Sequence, residues 1–202
     1  MIKYLIGIDE AGRGPLCGPV AVGAVCCSKH QNGKHRMFAI FGKKGIRDSK
    51  KLSPTRREEI FAEIKKLKKS GQLNFAVALV GHQIIDRRGI VTAIKIGIAR
   101  CLKKILQHPM LQEDCLVLLD GGLRAPSRYL NQRTIIRGDE SETVIALASI
   151  VAKVSRDRFM VRLAKKYPIY GLEKHKGYGT KAHYRALKKI GHSPIHRLSF
   201  LA

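Results

Sequence analysis

Acidic residues are scarce in this chain: 15 stand against 39 lysines and arginines in 202 residues, a formal net charge of +24. A field of that sign attracts polyanions, and nucleic acid is the commonest polyanion inside a cell. Long hydrophobic runs are missing too. No apolar stretch approaches the roughly 18 residues needed to span a bilayer. Met1-Ile2-Lys3-Tyr4 leads straight into a strand-like segment without the layout of a signal peptide. The basic residues spread along the whole chain, which disfavours an anionic membrane surface as the partner. A cytoplasmic protein is expected. Cys17, Cys26, Cys27, Cys101 and Cys115 are odd in number and include no C-x-x-C pair. That argues against a disulfide framework or a zinc site, and leaves buried free thiols as the expectation. Repeats, low-complexity tracts and linkers are also absent. One domain over residues 1–167 is expected, with a C-terminal extension, 168–202, packed on it and contributing to substrate binding.

What is present alternates between strand and helix signals. Tyr4 to Ile8 is an apolar run leading into Asp9-Glu10, then a Gly/Pro-rich turn, then a second buried strand over Val20 to Cys27. Met37 to Phe41 is a candidate third strand. Ser53-Pro54 starts a helix with a capping hydroxyl and a proline in the first turn; it stops near Gly71. Leu73 to Val80 reads as a strand, and Ile90, Ile94, Ile98, Cys101 and Ile105 mark a helical face. Cys115 to Leu119 leads to Asp120, and Thr134 to Ile136 to Asp139. A long helix is predicted from Ser141 to about Lys166, and another near Lys181 to Ile190. The pattern implies an α/β fold, a mixed central sheet flanked by helices with a C-terminal helical extension.

The few acids fall in informative places. Asp9, Glu10, Asp120 and Asp139 stand at the ends of three apolar strand-like runs. Adjacent strand ends can gather distant carboxylates, which then repel unless cations neutralise them. Hard oxygen donors suit Mg²⁺ or Mn²⁺, the requirement of two-metal phosphodiester cleavage. The plainer alternative is that each acid starts a turn or caps a helix, and Asp139 beside Glu140 and Glu142 would suit a helix N-terminus. Successive strand residues point to opposite faces. Asp9 and Glu10 are therefore expected to share a site through a strand end or bulge.

Three further signals are weaker. Gly12-Arg13-Gly14 could bring backbone and guanidinium to a phosphate or sugar hydroxyl, although a G-x-G alone is usually a tight turn. Cys17 occupies the place of the third glycine of a dinucleotide fingerprint, which removes that function class. Ser49 and Lys50, within Asp48-Ser49-Lys50-Lys51-Leu52-Ser53, lie just before a helix N-terminus where an anion could sit. Tyr178, between glycines in a basic tail, could stack on a sugar or base or merely mark a surface turn. His175, His183, His192 and His196 do not have metal-box spacing and are read as structural or backbone-contacting.

Taken together, Gly7-Ile8-Asp9-Glu10-Ala11-Gly12-Arg13-Gly14-Pro15, Asp48 to Leu52, Asp120-Gly121, Arg137-Gly138-Asp139, Ala148 to Val154 with Arg156-Asp157, Lys176 to Thr180, and Pro194-Ile195-His196-Arg197 resemble ribonuclease HII, the type 2 ribonuclease H. The resemblance implies a ribonuclease H-like fold and a metal-dependent endoribonuclease. Its substrates would be RNA–DNA hybrids and duplex DNA containing ribonucleotides. It would cut 5′ to the ribonucleotide and leave 3′-hydroxyl and 5′-phosphate ends. It further implies Asp9, Glu10, Asp120 and Asp139 as ligands for Mg²⁺ or Mn²⁺, two ions with substrate bound. Gly12, Arg13 and Gly14 would sense the 2′-hydroxyl, Tyr178 would stack at the RNA–DNA junction, and a monomer is expected. Ribonuclease HIII usually has lysine where this chain has Arg13. Cys17, often alanine in the family, and a long basic 28–46 segment depart from the pattern. A non-catalytic hybrid-binding protein is the alternative, and retention of all four acids argues against it.

Overall fold

The computed structural model describes residues 1–29, 52–107 and 114–201. The candidate strand at 37–41, and Ser49 and Lys50, lie outside these residues. Five strands form one sheet: β1 (Tyr4–Ala11), β2 (Val20–Ser28), β3 (Leu73–Val80), β4 (Cys115–Asp120) and β5 (Gln132–Ile135), in the order β3-β2-β1-β4-β5. β1 pairs antiparallel with β2, and β2 with β3. The β1–β4 and β4–β5 pairs are parallel. The mixed sheet is as expected.

Its central strands read as nearly unbroken apolar runs because both faces are covered. One face carries Ile6, Ile8, Val22 and Leu119 against α2 (His82–Ile105), whose Ile94, Ile98, Cys101 and Leu102 are buried. The other carries Leu5, Val25 and Leu118 against α1 (Pro54–Lys69) and α4 (Thr143–Ala164). Each fully buried Ile or Leu contributes roughly 1.5–3 kcal/mol. α1 begins where the capping signal places it, with Ser53 Oγ accepting from Arg56 N at 3.1 Å. α4 lies unusually close to the sheet. A Cβ on Gly7 would come within 2.3 Å of the Val144 backbone, and one on Gly23 within 2.3 Å of Ala148 O. Glycine is the only residue that lets this helix sit on β1 and β2.

Three local expectations need correction. β1 neither ends nor bulges at Asp9-Glu10; it runs to Ala11 in unbroken register with β2. Its ladder with β4 is what stops, at Ile8↔Leu119. Second, Asp139 is not at a strand end. Arg137, at φ 53, turns the chain out of β5, and Asp139 lies in the short helix α3 (Gly138–Ser141). Third, the long helix does not start at Ser141, because Glu142 is extended (φ −114, ψ 114) and separates α3 from α4.

The tail comprises a 3-10 turn (Pro168–Tyr170), α5 (Leu172–His175), α6 (Lys181–Ile190) and a last 3-10 turn (Leu198–Phe200). It packs on the β1–β2 connection and the end of α4. Cys17 bridges to His196, and Cys17, Met160, Tyr170, Leu172 and Ile195 share a small separate core.

Candidate active site

β1 and β4 run parallel, so their carboxyl ends point the same way. Beyond the last paired residues, Ile8 and Leu119, the next two along are Asp9 and Asp120. Adjacent strands lie about 4.8 Å apart. Both side chains fall by parity on the α4 face, with Leu118 and Gly7. They line one cleft of about 450 Å³ together with Glu10, Gly12, Arg13, Gly14, Arg57, Ser149, Lys153 and Tyr178. Glu10 belongs to the opposite face by parity, yet it borders the same cleft because β4 no longer flanks the strand there. Asp139 is buried and does not line the cleft. It adjoins Asp120 through the backbone: Asp120 Oδ1 accepts from Gly138 N at 2.7 Å and Asp139 N at 3.4 Å.

Each carboxylate in the cleft has a local partner. Asp9 Oδ1 accepts from the N–H of Glu10 at 2.7 Å, and the Ser149 hydroxyl also bonds to Asp9. Glu10 pairs with Arg13 at 3.1 Å. Among the described residues the acids do not close into a three-ligand group within 4.8 Å. Burial nevertheless pushes the Asp9 carboxyl well above the usual carboxylate range. The charges of Glu10 and Asp120 push it the same way, opposed by the Ser149 and Glu10 hydrogen bonds. A buried carboxylate beside two others is a site that a hard cation relieves. The donor set fits Mg²⁺ or Mn²⁺ by its chemistry.

The glycine loop is shaped from below by two arginines that sequence reasoning gave no role. Arg197, fully buried, donates to Gly12 O (2.8 Å), Arg13 O (2.9 Å) and Gly18 O (3.0 Å). Arg156, also fully buried, donates to Pro19 O (2.9 Å), Lys176 O (3.0 Å) and Cys17 O (3.3 Å). Gly12 has φ +90, and a Cβ there would sit 1.9 Å from Arg156 Nε. Only glycine closes this turn over the guanidinium. Burial lowers both arginines, Arg197 to about 10, which leaves them charged at neutral pH.

Arg156 also joins the loop to the tail, since its bond to Lys176 O lies two residues before Tyr178. That ring is 40% exposed, so it can meet a ligand, and Lys153 Nζ lies 5.6 Å from its centroid. Arg57, Lys153 and Tyr178 also line a second cleft of about 630 Å³, which adds Arg158, Arg162, Lys174 and Lys176.

Thus Asp9, Glu10, Gly12, Arg13, Gly14, Asp120 and Tyr178 come together, and Asp139 stands beside them. Ser149, Lys153, Arg57, Arg156 and Arg197 were missed. Ser149 had a signal, as the single polar residue between Val144 and Ala152 of α4. Arg156 and Arg197 fell within the motifs of the resemblance but carried no sign of their role, and Arg57, among 39 basic residues, had no signal.

Known proteins resemble this chain in sequence and fold. The family model Ribonuclease HII matches residues 6–202. Ribonuclease HII of Caldicellulosiruptor bescii is 44% identical over 199 residues, covering 98% of this chain and 87% of that protein. The ribonuclease HII of Archaeoglobus fulgidus, solved in complex with PCNA, superposes with a TM-score of 0.72 at 28% identity, covering 96% of this chain and 94% of that one. Ribonuclease H2 of Pyrococcus horikoshii gives 0.71 at 26%, covering 97% and 93%. With the carboxylates, the glycine loop and the tail tyrosine on one cleft of this sheet, and the match running nearly end to end, the chain belongs to the ribonuclease HII family.

Proposed function

We propose that this endoribonuclease hydrolyses RNA in RNA–DNA hybrids and incises duplex DNA on the 5′ side of embedded ribonucleotides, leaving 3′-hydroxyl and 5′-phosphate ends. The observation that carries the reading is the single cleft in which Asp9, Glu10 and Asp120 face the glycine loop and Tyr178. Asp9, Glu10, Asp120 and Asp139 are the carboxylates that would hold Mg²⁺ or Mn²⁺, with two ions when substrate is present. Bound there, such ions activate water and stabilise the charge developing on the leaving oxygen.

The chain's own residues orient the rest. Ser149 and the Glu10 N–H restrain Asp9, and Gly138 N–H restrains Asp120, so both present an oxygen toward the cleft without rotating. Gly12, Arg13 and Gly14 read the 2′-hydroxyl: Gly12 closes the turn over Arg156, and Gly14, open around its Cα, lets the substrate approach the backbone. Tyr178 stacks on the sugar at the junction. The basic second cleft takes the flanking phosphates, and Ser49 and Lys50 add an anion contact. The extension 168–202 thereby takes part in substrate binding. Five free cysteines suit a reducing cytoplasm, and no described helix is long and apolar enough to cross a membrane. We assign a monomer.

The deciding experiment incubates the protein with duplex DNA containing one ribonucleotide, with and without Mg²⁺ or Mn²⁺, and maps the ends. Metal-dependent cleavage 5′ to the ribonucleotide is expected. Binding without cleavage under every metal condition would leave only a hybrid-binding protein.

A further inference from the structure

Behind the glycine loop, Cys17, His183 and His196 each present one ligand atom, all within 4.8 Å of one another and all buried. They come from the β1–β2 connection, α6 and the tail, so no sequence spacing announces them. The two imidazoles face each other through Nε2 at 3.1 Å. Two nitrogens held tetrahedrally at about 2.0–2.1 Å from one ion lie about 3.3 Å apart. The pair is therefore already spaced for a shared cation.

Each ring is also held from behind. His183 Nδ1 lies 3.0 Å from Tyr178 O, and His196 Nδ1 lies 3.3 Å from Ser193 O and 3.0 Å from Ser193 Oγ. Metal-ligating histidines are oriented by such contacts at the outer nitrogen. Sulfur is concentrated at the same place. A Cβ on Gly177 would meet Cys17 Sγ at 2.8 Å and Met160 Cε at 3.2 Å.

We propose that Cys17, His183 and His196 form a binding site for one thiophilic cation of the Zn²⁺ class, separate from the carboxylate cleft. Without the ion, Ser193 N donates to His196 Nδ1 at 3.0 Å, which leaves His196 Nε2–H to donate to His183 Nε2. Binding moves that proton to Nδ1, which gives up the hydrogen bond from Ser193 N–H and donates instead to Ser193 Oγ at 3.0 Å, and releases the thiol proton to solvent. Burial keeps both imidazoles neutral, the ligating form. Burial pushes the Cys17 thiol up to about 11, while Arg156 and Arg197 favour its thiolate. The ion would staple the chain just after the glycine loop to α6 and the tail.

The test titrates reduced, metal-free, full-length protein with Co²⁺ and then displaces it with Zn²⁺. A thiolate-to-cobalt charge-transfer band saturating at one equivalent is expected. It should vanish in Cys17→Ala and Cys17→Ser and persist in Asp120→Asn. Zn²⁺ at a hundredfold excess over its Kd should raise the wild-type melting point by on the order of 5 °C. Absence of the band in wild type, or its survival in Cys17→Ala, overturns the proposal; the wild-type titration decides even if a variant misfolds. Carboxylates give no thiolate band, so the outcome is independent of whether the protein cleaves RNA.

Discussion

Two gatherings of like charge sit a few residues apart in this molecule, and they are finished differently. At the ends of β1 and β4, Asp9, Glu10 and Asp120 share a solvent-accessible cleft, where the Asp9 carboxyl is driven upward by burial and by its neighbours' charges. Beneath the glycine loop, Arg156 and Arg197 are fully buried, yet three donors of each meet backbone carbonyls. Buried charge is tolerated when its hydrogen-bonding capacity is met. The arginine pair is therefore complete as built, and it is architecture. The acids keep a repulsion that a cation removes, and that is where chemistry can happen.

The comparison can be broken most sharply at the acids. Asp9→Asn and Asp120→Asn should each lower cleavage by about a thousandfold or more, as expected for loss of groups acting in the transition state, while hybrid binding measured in Ca²⁺ or EDTA changes little. Loss of hybrid binding along with cleavage would count against a metal role. On the other side, Arg197→Met should cost about 3–5 kcal/mol in denaturant unfolding, because three buried carbonyls lose their donors. A cost below 1 kcal/mol would show that the loop does not depend on it.

Tyr178→Ala probes the bridge between the two regions. It should weaken discrimination for the RNA–DNA junction about tenfold, the scale of one stacking contact, with general duplex affinity nearly unchanged. Equal losses would make the ring structural only.

The smallest effect is expected from pH. Burial, the first cause, holds His196 down at about 4, and His183 is also lowered. In the unfolded chain both protonate near the ordinary value of 6.5. Folding therefore resists protonation, and stability should be full above about 6.5 and fall as the pH drops toward 4. Urea midpoints across that range should show a shallower slope in His196→Asn than in wild type.

Much of the fold was legible because its elements carry local signatures. β2, β3 and β4 are apolar runs, Ser53-Pro54 caps α1, and isoleucines mark the buried face of α2. The acids were legible because they are rare in a basic chain. The expectation of a bulge at Asp9-Glu10 failed because the strand keeps β2 and only its β4 partner ends. Asp139 was assigned to a strand end because the left-handed turn at Arg137 has no warning in its residue type. The histidines were read as structural or backbone-contacting from spacing; His175 and His183 do meet Tyr170 O and Tyr178 O, but spacing gave no sign that His183 and His196 face each other. The approach of Cys17 was invisible.

The residues alone determined a nucleic-acid-binding charge, an α/β pattern and the acids with a chemistry suited to hard cations, since composition and periodicity are properties of neighbours along the chain. The tertiary structure decided which acids meet, which arginines carry the loop and that a thiol joins two imidazoles. Those depend on strand order and helix depth, and contacts across 18 to 185 residues follow from packing rather than from spacing.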